Sequence, residues 1–235
     1  PTANGSYKAG DVIAIRISFS EIITLTGTMG INLDTGGVCV INAFTGTTAT
    51  GTYTILAGHT SADLTATSVV VNTTARDVAL NNLVTTLPVT NIATGSNIII
   101  DTTAPTITSI TSSTANGSYK AGDVIAIKIN FSEVITLTGT MGINLDSGGV
   151  CVISGFTGTT ATGTYTVLAG HTSADLTATS VVVNTSARDV ALNNLVTTLP
   201  IINIATGSNI IIDTTAPTIT SITSSTPDGT YSTGS

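Results

Sequence analysis

The stretch Val124-Ile-Ala-Ile-Lys-Ile-Asn-Phe131 decides the fold. Ile125, Ile127, Ile129 and Phe131 fall on one side of an extended chain, with Lys128 and Asn130 on the other. A period of two belongs to a half-buried β-strand. The chain contains this stretch a second time. Val12-Ile-Ala-Ile-Arg-Ile-Ser-Phe19 departs from it only at residues 16 and 18, both on the polar side. Exchange confined to one face marks the other face as core.

The surroundings are duplicated as well. Residues 3–101 match residues 115–213 at an offset of 112 and differ at ten of 99 positions. Arg16/Lys128, Ser18/Asn130, Ile22/Val134, Ile55/Val167 and Val89/Ile201 conserve character, and only Thr90/Ile202 changes it. A third copy opens at Thr226 and stops at Ser235. A period this long marks an array of whole domains rather than a solenoid of small units. The expected divisions are residues 1–101, 102–213 and 214–235. Pro1 aligns with Ser113, so the first repeat lacks the strand expected at Thr106–Ile110, while Thr218–Ile222 is a surplus strand. Either the sequence is a window from a longer chain, which the near-identity of the repeats favours, or the surplus strand completes another copy, as in donor-strand assembly. Both arrangements imply a head-to-tail contact that propagates.

Composition narrows the class further. Charged residues make up 8% of the chain, against roughly 25% in an average globular protein. Thr, Val, Ile, Gly and Ser replace them, a mixture that favours strands and turns. Mean hydropathy is +0.47, yet no apolar run approaches the length of a membrane span, so the apolar residues must fill cores. Thirteen acidic residues against six basic ones argue against a nucleic-acid partner. One cysteine per repeat, Cys39 and Cys151, precludes a disulfide within a repeat and reads as a small buried hydrophobe.

Within the second repeat, strands are expected at Thr106–Ile110, Val124–Phe131, Ile135–Thr138, Met141–Leu145, Val150–Ile153, Gly163–Leu168, Leu176–Asn184 and Asn209–Ile212, with Gly, Asn, Asp and Thr turns between them. The fold class is therefore all-β: tandem Ig-like antiparallel β-sandwich domains. Short linkers, Asp101-Thr-Thr-Ala-Pro105 and Asp213-Thr-Thr-Ala-Pro217, join the repeats; they contain proline and no glycine, which predicts a stiff connection.

Asp-Thr-Thr-Ala-Pro-Thr-Ile, then Asn-Gly-Ser-Tyr-Lys-Ala-Gly-Asp, Phe-Ser-Glu and an Asp-x-Ala-x-Asn turn resemble the bacterial Ig-like repeats of giant surface adhesins and extracellular fibres. The resemblance covers the whole chain and implies an extracellular, cell-surface location and a structural role as spacer, stalk or filament. The partners it implies are neighbouring repeats or copies of the chain itself, and a host or cell surface reached through a tip outside this sequence. One departure stands out: the family has Asp-x-Ala-Gly-Asn, whereas Asp77–Asn81 and Asp189–Asn193 carry Leu80 and Leu192 at the glycine position.

Strand direction brings carboxylates together. If the first strand of a repeat runs away from its predecessor and the second returns, Glu133, the turn holding Asp189 and Asn193, and the linker residue Asp101 share one pole. Carboxylate and amide oxygens are what Ca²⁺ takes, and the resemblance also implies Ca²⁺ at such junctions. The equivalents are Glu21, Asp77 and Asn81 in the first repeat and Asp213 at the next junction. The alternative needs no cofactor: Asp101 ends a strand, Glu133 is a solvated turn residue, and Asp189 pairs with Arg188.

Other motifs point away from catalysis. Asp34-Thr-Gly and Asp146-Ser-Gly resemble an aspartic-protease triplet, but that chemistry needs two carboxylates sharing one proton, and tandem repeats would hold them a domain apart. His59 and His171 stand singly in each repeat, and Lys8 and Lys120 lie in a Gly-containing turn. No enzyme activity is expected. A glycan- or cell-binding module and an accessory domain of an extracellular hydrolase are the alternative readings, against which stand the lack of Trp and the five Tyr.

Overall fold

In the computed structural model, which describes residues 2–234, two strands of each repeat are far longer than the sequence reading expects. The first repeat comprises β1 Gly5–Tyr7, β2 Val12–Leu33, β3 Val38–Thr54, β4 Ala66–Val71, β5 Thr74–Arg76, a single helical turn α1 Ile92–Gly95 and β6 Ile98–Ile100. The second comprises β7 Ile107–Ser112, β8 Gly117–Tyr119, β9 Val124–Leu145, β10 Val150–Thr166, β11 Thr172–Ser173, β12 Ala178–Val183, β13 Ser186–Arg188, α2 Ile204–Gly207 and β14 Ile210–Asp213. Strand accounts for 53% of the chain and helix for 3%, so the fold is all-β and sandwich-like. The expected limits at Pro1 and Ser235 lie outside the described residues.

The alternation in Val124–Phe131 is buried as read. Ile125, Ile127, Ile129 and Phe131 are core, and Lys128 is exposed. The separation of that stretch from Ile135–Thr138 and Met141–Leu145 is corrected: all three belong to β9, of 22 residues. Val150–Ile153 merges with most of Gly163–Leu168 in the same way, in β10. Turn-forming residues became bulges instead of breaks. Between the pairs Asn130↔Thr160 and Ile135↔Gly158 the chain of β9 carries four residues against one on β10. A second shift falls at Gly139, whose φ is +82°. A Cβ there would also run into Thr185, so glycine is needed for conformation and space together.

The bulges let one strand serve several neighbours. The first half of β9 pairs with β7, and the second half with β13 and β12, all antiparallel. The pairing is not wholly antiparallel, however. β1 lies parallel to β6, and β8 parallel to β14. Leu176–Asn184 shortens to β12, and Asn209–Ile212 shifts by one residue to β14.

The buried apolar residues form two clusters, one drawn from residues 13–100 and the other from residues 107–212. Cys39 and Cys151 lie wholly buried within them as free thiols. Burial pushes each thiol up to about 11, so neither is a ready nucleophile.

Thr218–Ile222 is not a strand, although its sequence repeats that of Thr106–Ile110. Ile219 and Ile222 are 83% and 90% exposed, whereas Ile107 and Ile110 are 6% and 0% exposed. β7 has β9 to pair with, and the second occurrence has no such ladder. Propensity alone does not make a strand. Among the described residues, no helix is long and apolar enough to cross a membrane.

Candidate metal centre

Asp101 follows β6 and is anchored through its backbone, its N–H donating to the Tyr7 carbonyl at 2.9 Å. Its Oδ1 accepts from the Thr103 N–H at 2.9 Å. The Thr102 hydroxyl donates to the His59 carbonyl at 3.1 Å and accepts from the Gly58 N–H at 3.0 Å, which ties the connecting segment to the first repeat. Bonds to the second repeat tie its other end. Asn193 Nδ2 donates to the Asp101 carbonyl at 3.0 Å, and the Val196 N–H to the Pro105 carbonyl at 2.9 Å.

Glu133 lies in the wide bulge of β9. Asp189 follows β13 and opens the turn that Asn193 closes. Asp189 Oδ1 accepts from the Asn193 backbone at 2.8 Å, and Oδ2 accepts from Asn193 Nδ2 at 2.8 Å. One oxygen each from Asp101, Glu133 and Asp189 lies within 4.8 Å of the others. Asp189 is buried, and the other two are half-buried. Burial raises the Glu133 pKa above its ordinary value, and the charges of Asp101 and Asp189 raise it further.

The sequence reading placed these residues at one pole, and the structure brings them together. Two details differ. Asn193 turns its NH₂ toward Asp189 and the linker carbonyl, so that group positions the carboxylate and the linker rather than offering an oxygen. Arg188 does not take the role of partner to Asp189 foreseen by the alternative reading: its Nε donates to Asn194 Oδ1 at 2.8 Å. Thr102, which the reading passed over, pins the connection, and its recurrence at Thr214 was the available signal.

In the first repeat Glu21, Asp77 and Asn81 line a hollow together. Asn81 bonds Asp77 as Asn193 bonds Asp189, and these bonds hold the Asp77 carboxyl below its usual range. At the far end Asp213 accepts from the Thr215 N–H at 2.9 Å, repeating the local geometry of Asp101.

The turn carries its own test. Leu80 and Leu192 sit at φ +71° and +69°, the left-handed region where a Cβ costs roughly 1–2 kcal/mol. Both side chains are largely exposed, so little packing is lost on their removal. Leu192→Gly should therefore stabilise the second repeat by about 0.5–1 kcal/mol, after the backbone entropy of glycine is subtracted. Urea titration measures this, and a loss of stability would contradict it.

The raised Glu133 pKa gives a pH dependence with a definite sign. The folded state holds the Glu133 proton more tightly than the unfolded state. Between the ordinary glutamate pKa and the raised folded value, stability falls as pH rises. In a chelator, Glu133→Gln should remove that decline and leave the variant more stable than the parent at neutral pH. Equal pH profiles for the two proteins would contradict it.

The remaining motifs serve the fold. Asp34 accepts from Ser61 Oγ at 2.6 Å and the Thr65 N–H at 3.1 Å, and Asp146 from Ser173 Oγ at 2.8 Å and the Thr177 N–H at 3.0 Å. Each is a turn brace with both oxygens engaged by its own repeat. His171 Nδ1 accepts the Leu168 N–H at 3.3 Å and the Tyr165 hydroxyl at 2.8 Å, and His59 does the same with Leu56 and Tyr53. Lys8 lies 3.6 Å from Asp11 in a surface ion pair. Compared with models of known protein families and with curated proteins, the chain gives no match.

Proposed function

We propose that this chain is a tandem structural repeat of a long extracellular cell-surface fibre or adhesin, in Ig-like sandwich units whose junctions are stiffened by a divalent cation. The meeting of Asp101, Glu133 and Asp189 at the connection between repeats carries this reading. Two oxygens on opposite sides of a Ca²⁺ ion stand about 4.6–5.2 Å apart, and one oxygen from each of the three carboxylates lies within 4.8 Å of the others, close enough to share such an ion. Its donors are hard oxygens, and three carboxylates so close repel one another until a cation neutralises them. Burial is the larger cause of the raised Glu133 pKa, and the charges of Asp101 and Asp189 add to it. Asp101, Glu133 and Asp189 would hold the ion, and Asn193 would orient Asp189.

The aromatic residues support a spacer over a sugar-binding module. Tyr53 and Tyr165 are 1% exposed and lie in the cores, so their rings are unavailable for stacking on a glycan. The near-identity of the repeats favours reach and repetition over a single site.

Calcium titration of the whole chain tests the proposal. A ligand that binds only the folded state adds about 2.7 kcal/mol of stability when present at 100 times its Kd. Ca²⁺ should raise the melting temperature of the second repeat, EDTA should reverse the rise, and Asp101→Asn with Glu133→Gln should abolish it. A melting curve indifferent to millimolar Ca²⁺ and to chelator would remove the cation from the reading.

A further inference from the structure

Asn-Gly-Ser-Tyr begins the short parallel pair of each repeat, as Asn116–Tyr119 at β8 and Asn4–Tyr7 at β1. Among the asparagines of the chain, only Asn4 and Asn116 precede glycine. Asparagine is a labile side chain, and a following glycine makes it more so. With no Cβ on that glycine, its backbone nitrogen can reach the amide carbon of the asparagine. Asn116 and Gly117 are both exposed, so water and base have access to them. The space around Gly117 is open as well, since a Cβ there would meet no atom within 4 Å.

Hydrogen bonds, not burial, hold this pair back. The Gly117 N–H donates to the Asn209 carbonyl at 3.0 Å, and Asn116 Oδ1 accepts from the Asn209 N–H at 2.9 Å. The nitrogen that would attack and the carbonyl it would attack are thus pinned to one facing residue. The first repeat has the same clamp. Its Gly5 N–H donates to the Asn97 carbonyl at 3.0 Å, and Asn4 Oδ1 accepts from the Asn97 N–H at 3.0 Å. A tyrosine braces each loop from behind. The Tyr119 hydroxyl donates to the Ala115 carbonyl at 2.6 Å, and that of Tyr7 to Ala3 at 2.8 Å. The clamp stands on little else. β8 and β14 share three pairs, Gly117↔Ile210, Ser118↔Ile211 and Tyr119↔Ile212, and no residue of β8 is buried. Such a short, exposed pair opens locally at far lower free energy than the whole domain.

We propose that Asn116 and its copy Asn4 are deamidation sites, gated by opening of the β8–β14 and β1–β6 pairs. In the opened pair the Gly117 nitrogen gives its proton to solvent base and attacks Asn116 Cγ. The new N–C bond closes a cyclic imide. The bond from Cγ to the side-chain nitrogen breaks, and that nitrogen takes up a proton and leaves as ammonia. Water then adds to either imide carbonyl and cleaves one of the two ring N–C bonds. One route leaves aspartate, and the other leaves isoaspartate, in which the main chain runs through the former side chain.

The two products differ in consequence. Aspartate keeps an oxygen for the Asn209 N–H. Isoaspartate lengthens the main chain by one carbon ahead of Gly117 and takes it out of register with Ile210. In the first repeat the affected pair is the one that holds Asp101, whose N–H donates to the Tyr7 carbonyl at 2.9 Å. Conversion of Asn4 therefore loosens a carboxylate of the junction. That consequence rests on the fibre reading, whereas the modification rests on the clamp alone.

The test incubates the whole chain at mildly alkaline pH, with and without urea, and maps the modified peptides by mass and by isoaspartyl methyltransferase labelling. Each event adds one mass unit. In the folded chain Asn116 and Asn4 should convert ahead of every other asparagine, yet at least about tenfold more slowly than in urea, because only the opened fraction reacts. Tyr119→Phe keeps the ring against the core and removes the brace. It should speed conversion at Asn116 several-fold and leave Asn4 unchanged, and Tyr7→Phe should do the converse. Acceleration at both sites by either variant would mean global rather than local opening and would overturn the gating. Equal rates in folded and unfolded chain would overturn it too. A folded chain left unconverted while the unfolded chain converts fully would overturn the site itself. The calcium test of the spacer reading stands apart from all of these outcomes.

Discussion

Ile110→Ala should destabilise the second repeat by about 2–5 kcal/mol, and Ile222→Ala, made in the same heptapeptide 112 residues later, should change the stability of the dilute chain by less than about 0.5 kcal/mol. Ile110 is fully buried and stands opposite Ile129, so truncation removes apolar contacts and leaves a cavity between β7 and the core. Ile222 is 90% exposed. Local sequence is identical at the two sites, so any contribution of intrinsic strand propensity cancels in the comparison. What remains is tertiary context. Denaturant titration at low protein concentration resolves the pair, and equal losses at the two sites would show that the 218–224 segment is as well packed as β7.

That comparison also shows where the sequence was legible. The core face of Val124–Phe131 was readable because a duplicated strand had changed only on its other face, and burial agrees at Ile125, Ile127, Ile129 and Phe131. The grouping of Asp101, Glu133 and Asp189 was readable from strand direction alone. Strand ends were not. Phe131-Ser-Glu-Val and Thr138-Gly-Thr look like turns, and a bulge needs the same residues as a turn. Only the opposing strand decides between them: here β10 runs on past both irregularities and holds β9 together. The orientation of the Asn193 amide was equally hidden, since it depends on a linker carbonyl 92 residues away.

Gly149→Ala should cost about 3 kcal/mol, the upper end for overpacking, although a single methyl is added. Its Cβ would overlap the ring of Tyr165, which is 1% exposed. The ring cannot step aside, because its hydroxyl is held at both ends. Ser147 Oγ donates to it at 3.0 Å, and it donates to His171 Nδ1 at 2.8 Å. Moving the ring would leave buried polar groups unpaired, at about 1–3 kcal/mol. This is also the physical content of the Asp146-Ser-Gly-Gly sequence. Asp146 braces Ser173 and Thr177, Ser147 holds the tyrosine, and Gly149 makes room for its ring. The residues that suggest a catalytic triplet are consumed by one turn, and Asp34-Thr-Gly-Gly repeats the arrangement around Tyr53. A double-mutant cycle measures the claim. In a Tyr165→Ala background the ring is gone, and Gly149→Ala should then cost little. The same penalty in both backgrounds would mean that the glycine serves the backbone of the turn rather than the tyrosine, and the packing account of this motif would be wrong.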